Sequence, residues 1–534
     1  MTKHTEEQEN ILAYNFEEGN LGIKALAGTG KTYISTLVAE AYTQKYPDQS
    51  ILSFCFSKLD QVESQKRMPT TVESRTSHSF GRSVYCKLVG ENRPDVISWK
   101  MQDILYLLKL DFKANKSDWT RLLSICKMNM FISPDSSMPT NIGIKLTEEE
   151  FDNILMQTSV DLAPYDQRGA YNIVCQALEI SRQWAFGRYK KFPRINKKTK
   201  QAVTKPTIDF DDMIYIPVLY AAKNQFDKYD CIILDEAQDL ALLQHMLISF
   251  TVHEKTKLLI VGDPNQAIYG FRGANEESFR LLMEQYKCNM LPLSINFRCD
   301  RKIIEEAQIL VPEIKCMEGK PNGTVQTIPN DKEWLGKIDS VNAAIICRFN
   351  APLVSAFYPL LKAGKNARIL GSDIGKGLAT ILKTKTPNSS NIQEVGMGLI
   401  TWRDSKLAAL EEDSLLNPNH SRTNEMKAQT INDQFDCLRL VLKYEQDKDK
   451  ALRRLEIMFD DKAMPDIVLS SMHKTKGREF EEVYIIEKEL PEKIKERQSK
   501  GQRKQEKNLR YVAVTRAKNK LVFVKEDMDE EFEQ

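Results

Sequence analysis

Ile232-Ile233-Leu234-Asp235-Glu236-Ala237-Gln238-Asp239 is an apolar run that ends abruptly in two adjacent carboxylates. The run reads as a buried strand, with the acidic pair at its tip. Far upstream stands Ala27-Gly28-Thr29-Gly30-Lys31-Thr32, a glycine loop able to wrap phosphates. Lys31 can reach the outer phosphates, and Thr32 can offer its hydroxyl to Mg2+. Asp235 can hold the same ion while Glu236 polarises an attacking water. A strand, a phosphate loop and a second strand with carboxylates at its end imply a parallel α/β sheet built for nucleoside-triphosphate hydrolysis.

The 534 residues exceed one compact core, and ordinary domain sizes predict about three or four. Hydrophobic residues make up 42% and charged residues 28%, a soluble balance. With a net charge of +2, any nucleic-acid footprint must be a local groove. The ten cysteines include no CxxC pair and there are only six histidines, which argues against a zinc module or a disulfide frame. No apolar run has membrane length, and the N-terminus is polar and opens into a helix without a secretory leader. The expectation is an intracellular, soluble protein, cytoplasmic if prokaryotic or viral and nuclear if eukaryotic.

Working outward, Thr5-Glu6-Glu7-Gln8 before Ile11 and Leu12 predicts a capped helix ahead of a first strand over 22–27. Ile51–Phe56 predicts a second strand. From 86 to 204 the texture turns helical without β runs, with Ile104, Leu105, Leu107 and Leu108 in one stripe and Ile173, Val174, Ala177, Leu178 and Ile180 in another. Strands return at Cys231–Leu234, Leu258–Val261 and Met290–Leu293, and again at Ala343–Cys347, Ile467–Ser470, Val483–Ile486 and Leu521–Val524. Between these last groups a helix carries Ile431, Phe435, Leu438 and Leu442. The plan is two parallel α/β cores, 1–85 with 205–290 and 291–372 with 464–534, each interrupted by a mainly helical insertion, 86–204 and 373–463. The basic and aromatic stretch from Arg188 to Lys200 reads either as a solvated linker or as a phosphate-contacting arm.

The nucleotide site draws on both cores. Ala25 stands where the full phosphate-loop pattern has glycine, but Ala27 and Gly28 are small enough for close backbone approach. Gln8 can present an amide to adenine. Arg298 ends Leu293-Ser294-Ile295-Asn296-Phe297-Arg298, and Arg516 is expected near the start of a helix in Tyr511–Ala517. Phosphoryl transfer needs positive charge on the transferring oxygens, and arginines in that role contribute on the order of 10³-fold or more. Facing cores would bring both arginines to the nucleotide only on closure, coupling hydrolysis to domain movement.

These residues resemble superfamily-one helicases of the UvrD/Rep type, with some likeness to the F-box helicase branch. The resemblance is carried by Ala27–Thr32, Thr76-Ser77-His78-Ser79-Phe80, Asp209-Phe210-Asp211-Asp212-Met213, Asp235–Asp239 and Gly262–Ala274, then by Asn296-Phe297-Arg298, His473–Phe480 and Tyr511–Lys518. It implies two RecA-like motor domains. It also implies ATP and Mg2+ held by Ala27, Gly28, Thr29, Gly30, Lys31, Thr32, Asp235 and Glu236. Gln8 would recognise adenine, Phe297 stack on it, Glu479 hold the ribose and Gln266 sense the γ-phosphate, with Arg298 and Arg516 as arginine fingers. Single-stranded DNA would cross Phe56, Lys58, His78, Tyr269, Phe271 and His473, with Arg272 linking the two sites. Aromatic faces stack on any base, contributing about 1–3 kcal/mol each without reading sequence.

Ala25, Ser57-Lys58, Phe297 and Arg478 depart from the family's usual residues, yet none removes a catalytic group. The expected activity is that of an ATP-dependent DNA helicase and single-strand translocase moving 3′ to 5′. Its expected substrates are single strands and single/double-strand junctions, in repair, recombination or replication. Candidate protein partners are single-strand-binding, recombination or replication proteins. The competing readings are a translocase that mainly strips proteins from single strands, a non-hydrolysing DNA-binding regulatory module, and RNA as the track.

Overall fold

The computed structural model describes residues 4–55, 58–109, 116–136, 138–157, 160, 162, 165–188, 205–268, 277–389, 391–416, 421–460, 465–487 and 500–525. They divide into two compact units, Met1–Ala25 with Gly30–Leu293, and Leu26–Thr29 with Ser294–Gln534.

The first unit is built on β1 (Leu21–Ala25), β2 (Ile51–Cys55), β3 (Val72–Thr76), β4 (Cys231–Leu234), β5 (Lys257–Gly262) and β6 (Asn289–Leu293). Their order is β6-β1-β5-β4-β2-β3, and every neighbouring pair is parallel. A parallel sheet is covered on both faces, so its central strands must be apolar throughout. All four residues of β4 are buried, and they alternate between faces. Ile232 and Leu234 join a core with Phe54, Phe80 and Ile260, while Cys231 and Ile233 join one with Ile23, Ile34 and Val261. β6 crosses the expected 290/291 boundary and pairs along its whole length with β1. Because β1, β5 and β4 are neighbours, their carboxyl ends bring the helix that starts at Lys31, Asp263 and Asp235 to one edge.

The first insertion has its own core, in which Trp119, Phe151, Val174 and Trp184 are buried among helices Lys100–Leu107, Lys116–Met128, Glu148–Gln157 and Gln167–Ala185. It is not wholly helical, contrary to the texture of the sequence. Asp95–Val96 pairs with Thr207–Ile208, and Phe131–Ile132 with Ile144–Lys145. Pairs this short carry no period from which to read a strand. The basic residues from Tyr189 to Lys200 lie outside the described residues.

The second unit is built on β7 (Thr324–Pro329), β8 (Ala343–Cys347), β9 (Ala367–Ile369), β10 (Ile467–Ser471), β11 (Phe480–Glu487) and β12 (Ala517–Lys525). The order is β7-β12-β11-β8-β10-β9, again parallel throughout. Its insertion supplies helices Ser372–Lys385, Ile392–Leu416, Ser421–Glu445 and Lys448–Met458. Phe435, Leu438 and Leu442 are buried in the same core as Ile345 of β8 and Leu469 of β10. No helix among the described residues is long and apolar enough to cross a membrane.

Candidate functional site

At the carboxyl edge of the first sheet, the helix Lys31–Lys45 starts from Gly30, a left-handed residue at φ 82° that adds no side-chain cap. Its first backbone N–H groups are thus left to other acceptors, and the N-terminal dipole favours an anion there. Lys31 Nζ lies 3.2 Å from Glu236 Oε1. Burial works against the lysine's charge, but the carboxylates of Glu236, Asp263 and Asp235 outweigh it and hold the ammonium firmly protonated.

The carboxylates show the reverse imbalance. Burial and the neighbouring Glu236 charge push Asp235 up to about 6, and burial also raises Asp263. Glu236 adopts a left-handed φ of 51°, a conformation that a non-glycine residue holds only when its surroundings impose it. Gln238, buried, donates from Nε2 to Glu236 Oε2 and accepts the Asp263 N–H at 3.0 Å. Gln266 donates to Asp263 Oδ2 at 2.7 Å. The site therefore concentrates negative charge that one lysine does not offset. Mg2+ suits it, since that ion takes one or two carboxylates together with phosphate oxygens and waters. Thr32, in the first turn, and Asp235 are side chains that could hold such an ion. Gln8 closes a capping box, accepting the Thr5 N–H at 3.1 Å and donating its own N–H to Thr5 Oγ1.

The same unit presents an aromatic and basic cleft of about 1080 Å³, lined in part by Lys58, Arg75, His78, Arg82 and Phe210. Thr76 caps the helix Ser77–Val89 by accepting the Ser79 N–H, which sets His78 on its first turn. The His78 ring stacks on Phe210 with centroids 3.8 Å apart and planes 25° from parallel. Burial depresses His78 to about 4, so its ring is neutral at physiological pH. Phe210 is 57% exposed, an unusual position for a phenylalanine. In the sequence Phe210 stands between Asp209 and Asp211, and an aromatic flanked by carboxylates is the local signal of its exposure. Phe56, Tyr269, Phe271 and Arg272 lie outside the described residues.

In the second unit, Asn296 Nδ2 donates to the Ala27 carbonyl at 2.6 Å, and the Phe297 N–H donates to the Gly28 carbonyl at 2.9 Å. Gly28 is required here, because a Cβ would fall 2.3 Å from Asn296 Nδ2 and φ is 68°. Thr29 folds the loop back by donating to the Leu26 carbonyl. Arg298 Nε lies 3.1 Å from Glu479 Oε2, and Nη1 donates to the Thr515 carbonyl. Arg516 is 3% exposed and donates to the carbonyls of Val512 and Arg478.

Arg516 does not start a helix, as the sequence suggested. Helix Lys500–Val514 ends before it, the Thr515 hydroxyl donates back to the Tyr511 carbonyl, and β12 begins immediately after. Arg298, Glu479 and Arg516 thus share one corner of this unit, joined through Thr515 and Arg478. His473 sits half-buried in the turn Met472–Thr475, which follows β10.

Residues 4–287 match the family model described as UvrD/REP helicase N-terminal domain, and residues 379–527 match UvrD-like helicase C-terminal domain. Among curated proteins, F-box DNA helicase protein 1 of Schizosaccharomyces pombe is 24% identical over 97% of this chain and 57% of its own length. F-box DNA helicase 1 of Gallus gallus is 25% identical over 97% of this chain and 49% of its own. ATP-dependent DNA helicase Rep of Escherichia coli is 31% identical, over 20% of this chain and 16% of its own. The chain spans about half the length of the two F-box relatives.

Proposed function

The chain belongs to the UvrD/REP helicase family, and from that premise we propose that it hydrolyses ATP to move 3′ to 5′ along single-stranded DNA and to part a duplex. The observation that carries this reading is the Lys31–Glu236 pair beside half-buried Asp235 and buried Asp263. An arriving triphosphate competes for the Lys31 ammonium. Its outer phosphate takes the charge that Glu236 now shares, which frees that carboxylate to accept a proton from the attacking water. Thr32 and Asp235 would hold Mg2+, which would supply positive charge to neutralise the phosphate oxygens. Gln266, bonded to Asp263, reports the presence of the γ-phosphate. Arg298 and Arg516 are assigned to the transferring phosphoryl group, Gln8 and Phe297 to adenine, and Glu479 to the ribose.

The strand is assigned to the cleft of the first unit. His78 and Phe210 offer rings to bases, while Lys58, Arg75 and Arg82 offer charge to phosphates, a combination that grips without reading sequence. Because His78 stays neutral well above its depressed value, strand affinity is expected to hold steady between about pH 6 and 8. ATP turnover with and without DNA or RNA oligonucleotides tests the engine and its track. Lys31→Ala should abolish turnover while leaving strand binding, and normal turnover would refute the assignment. Duplexes bearing a 3′ or a 5′ tail test direction, and unwinding that needs the 5′ tail would overturn the polarity.

A further inference from the structure

We infer that Lys100 and Lys127, buried lysines of the first insertion, are positioning residues for strand binding that hold Phe210 against His78. The inference rests on the strand-contact reading of that aromatic pair. Lys127 Nζ lies 2.6 Å from Asp209 Oδ2 and 2.8 Å from Asp212 Oδ1. Lys100 Nζ lies 2.5 Å from Asp212 Oδ2 and donates to the Ser181 carbonyl at 2.7 Å. The two aspartates also close the turn between them. The Asp209 N–H donates to Asp212 Oδ2, and the Asp212 N–H donates to Asp209 Oδ1 at 2.9 Å. Phe210 is the residue this closed turn projects outward onto His78.

Both lysines are fully buried, as is Asp212, and Asp209 nearly so. Taking such charges from water is costly, and an apolar side chain of similar length would fill the same space without that cost. What only an ammonium supplies is a fixed point for both carboxylates of the turn. An exposed phenylalanine gains little by standing in water, so its orientation must be imposed from below. The insertion thereby sets the pose of a ring in the cleft of the motor sheet, although neither lysine touches that cleft.

The test uses ATP turnover by the full chain at rising concentrations of a deoxythymidine oligonucleotide. Phe210→Ala should raise the half-activating concentration about tenfold, within the range of one lost stacking contact. Lys127→Met should raise it comparably while turnover at saturating oligonucleotide is retained. In Phe210→Ala/Lys127→Met the second change should add almost nothing to the first, because the lysine acts through the ring. Multiplied effects in the double variant, or an unchanged value in Lys127→Met beside a raised one in Phe210→Ala, would overturn the inference. An unchanged value in Phe210→Ala would instead overturn the strand-contact reading beneath it. The charge-balanced Lys100→Met/Asp212→Asn pair carries the same expectation as Lys127→Met. Loss of folding in both assigns the lysines to stability alone and rejects the positioning role.

Discussion

The two helical insertions interrupt similar sheets in different ways. The first encloses an apolar core of its own around Trp119 and Trp184, and meets its motor sheet both through Met130, Ile132 and Ala185, which join the core of Leu234 and Ile260, and through the buried charges of Lys100, Lys127, Asp209 and Asp212. The second has no such separation. Leu438, Val441 and Leu455 belong to one continuous core with Ile345, Leu353 and Leu469, so hydrocarbon runs unbroken across the junction. Hydrophobic contact is tolerant of angle, whereas an ion pair with shared carboxylates fixes direction. The first junction therefore specifies an orientation, and the second supplies bulk to the sheet it covers.

That contrast can be broken at its strongest point. Asp212→Ala removes the carboxylate that Lys100 and Lys127 share, leaving Lys127 with Asp209 alone, and is expected to destabilise the first unit by about 3–5 kcal/mol. Hydrogen exchange should then rise in helices Lys100–Leu107 and Asp212–Tyr220 together, and loss of protection in only one of them would mean the junction is not shared. Leu438→Ala should cost about 2–5 kcal/mol and expose β8 and β10 to exchange, since helix and sheet share a core. Trp119→Ala, by contrast, should loosen the first insertion while β4 stays protected. Equal exchange in β4 would erase the distinction between the two insertions.

A smaller effect sharpens the polar side of the second junction. Asp433 accepts the backbone N–H groups of Asn350 and Ala351 at 3.0 and 2.8 Å, capping the helix Ala351–Lys362 from the insertion. Asp433→Ala should cost about 1 kcal/mol, read as a lower midpoint in denaturant.

The smallest change expected has the opposite sign. Unlike Asp212, which two lysines hold down to about 2, Asp235 is raised to about 6. A raised carboxylate contributes its stability below about pH 3.9, its unfolded value, and loses it as pH climbs through 6. Asp235→Asn should therefore raise the midpoint of thermal unfolding by a few degrees at pH 7.5. The gain should shrink by pH 5, and a gain that grows on acidification would contradict the assigned shift.

Much of this architecture is legible in residue order, because parallel sheets demand unbroken apolar strands. Cys231–Leu234, Ala343–Cys347 and Ile467–Ser470 advertise themselves in that way. The loop after β1 is equally plain, since Gly28 and Gly30 both adopt positive φ. The less legible features depend on partners distant in the chain. Lys100 and Lys127 look like ordinary solvent-facing lysines of amphipathic helices, and nothing local announces that both are buried against one turn. The stripe of Phe435, Leu438 and Leu442 announces a buried face without saying which core receives it. Arg516 follows its helix because Tyr511–Val514 is helical by periodicity alone, and only the Thr515 back-bond and the start of β12 mark the stop. Of the proposed nucleotide residues, Lys31, Asp235, Glu236 and Gln266 come from one unit, and Arg298, Glu479 and Arg516 from the other.

The strand order of the first unit also bears on how the chain is made. β1 leaves the ribosome early, yet its neighbours are β5 and β6, which begin at Lys257 and Asn289, and β2 must wait for β4 at Cys231. The first insertion, with its own core, is synthesised in that interval and can fold ahead of them. Nascent β1–β3 therefore remain unpaired on the side where the central strands will later insert, and the helical insertion is a folded body, made in that interval, that can shelter them.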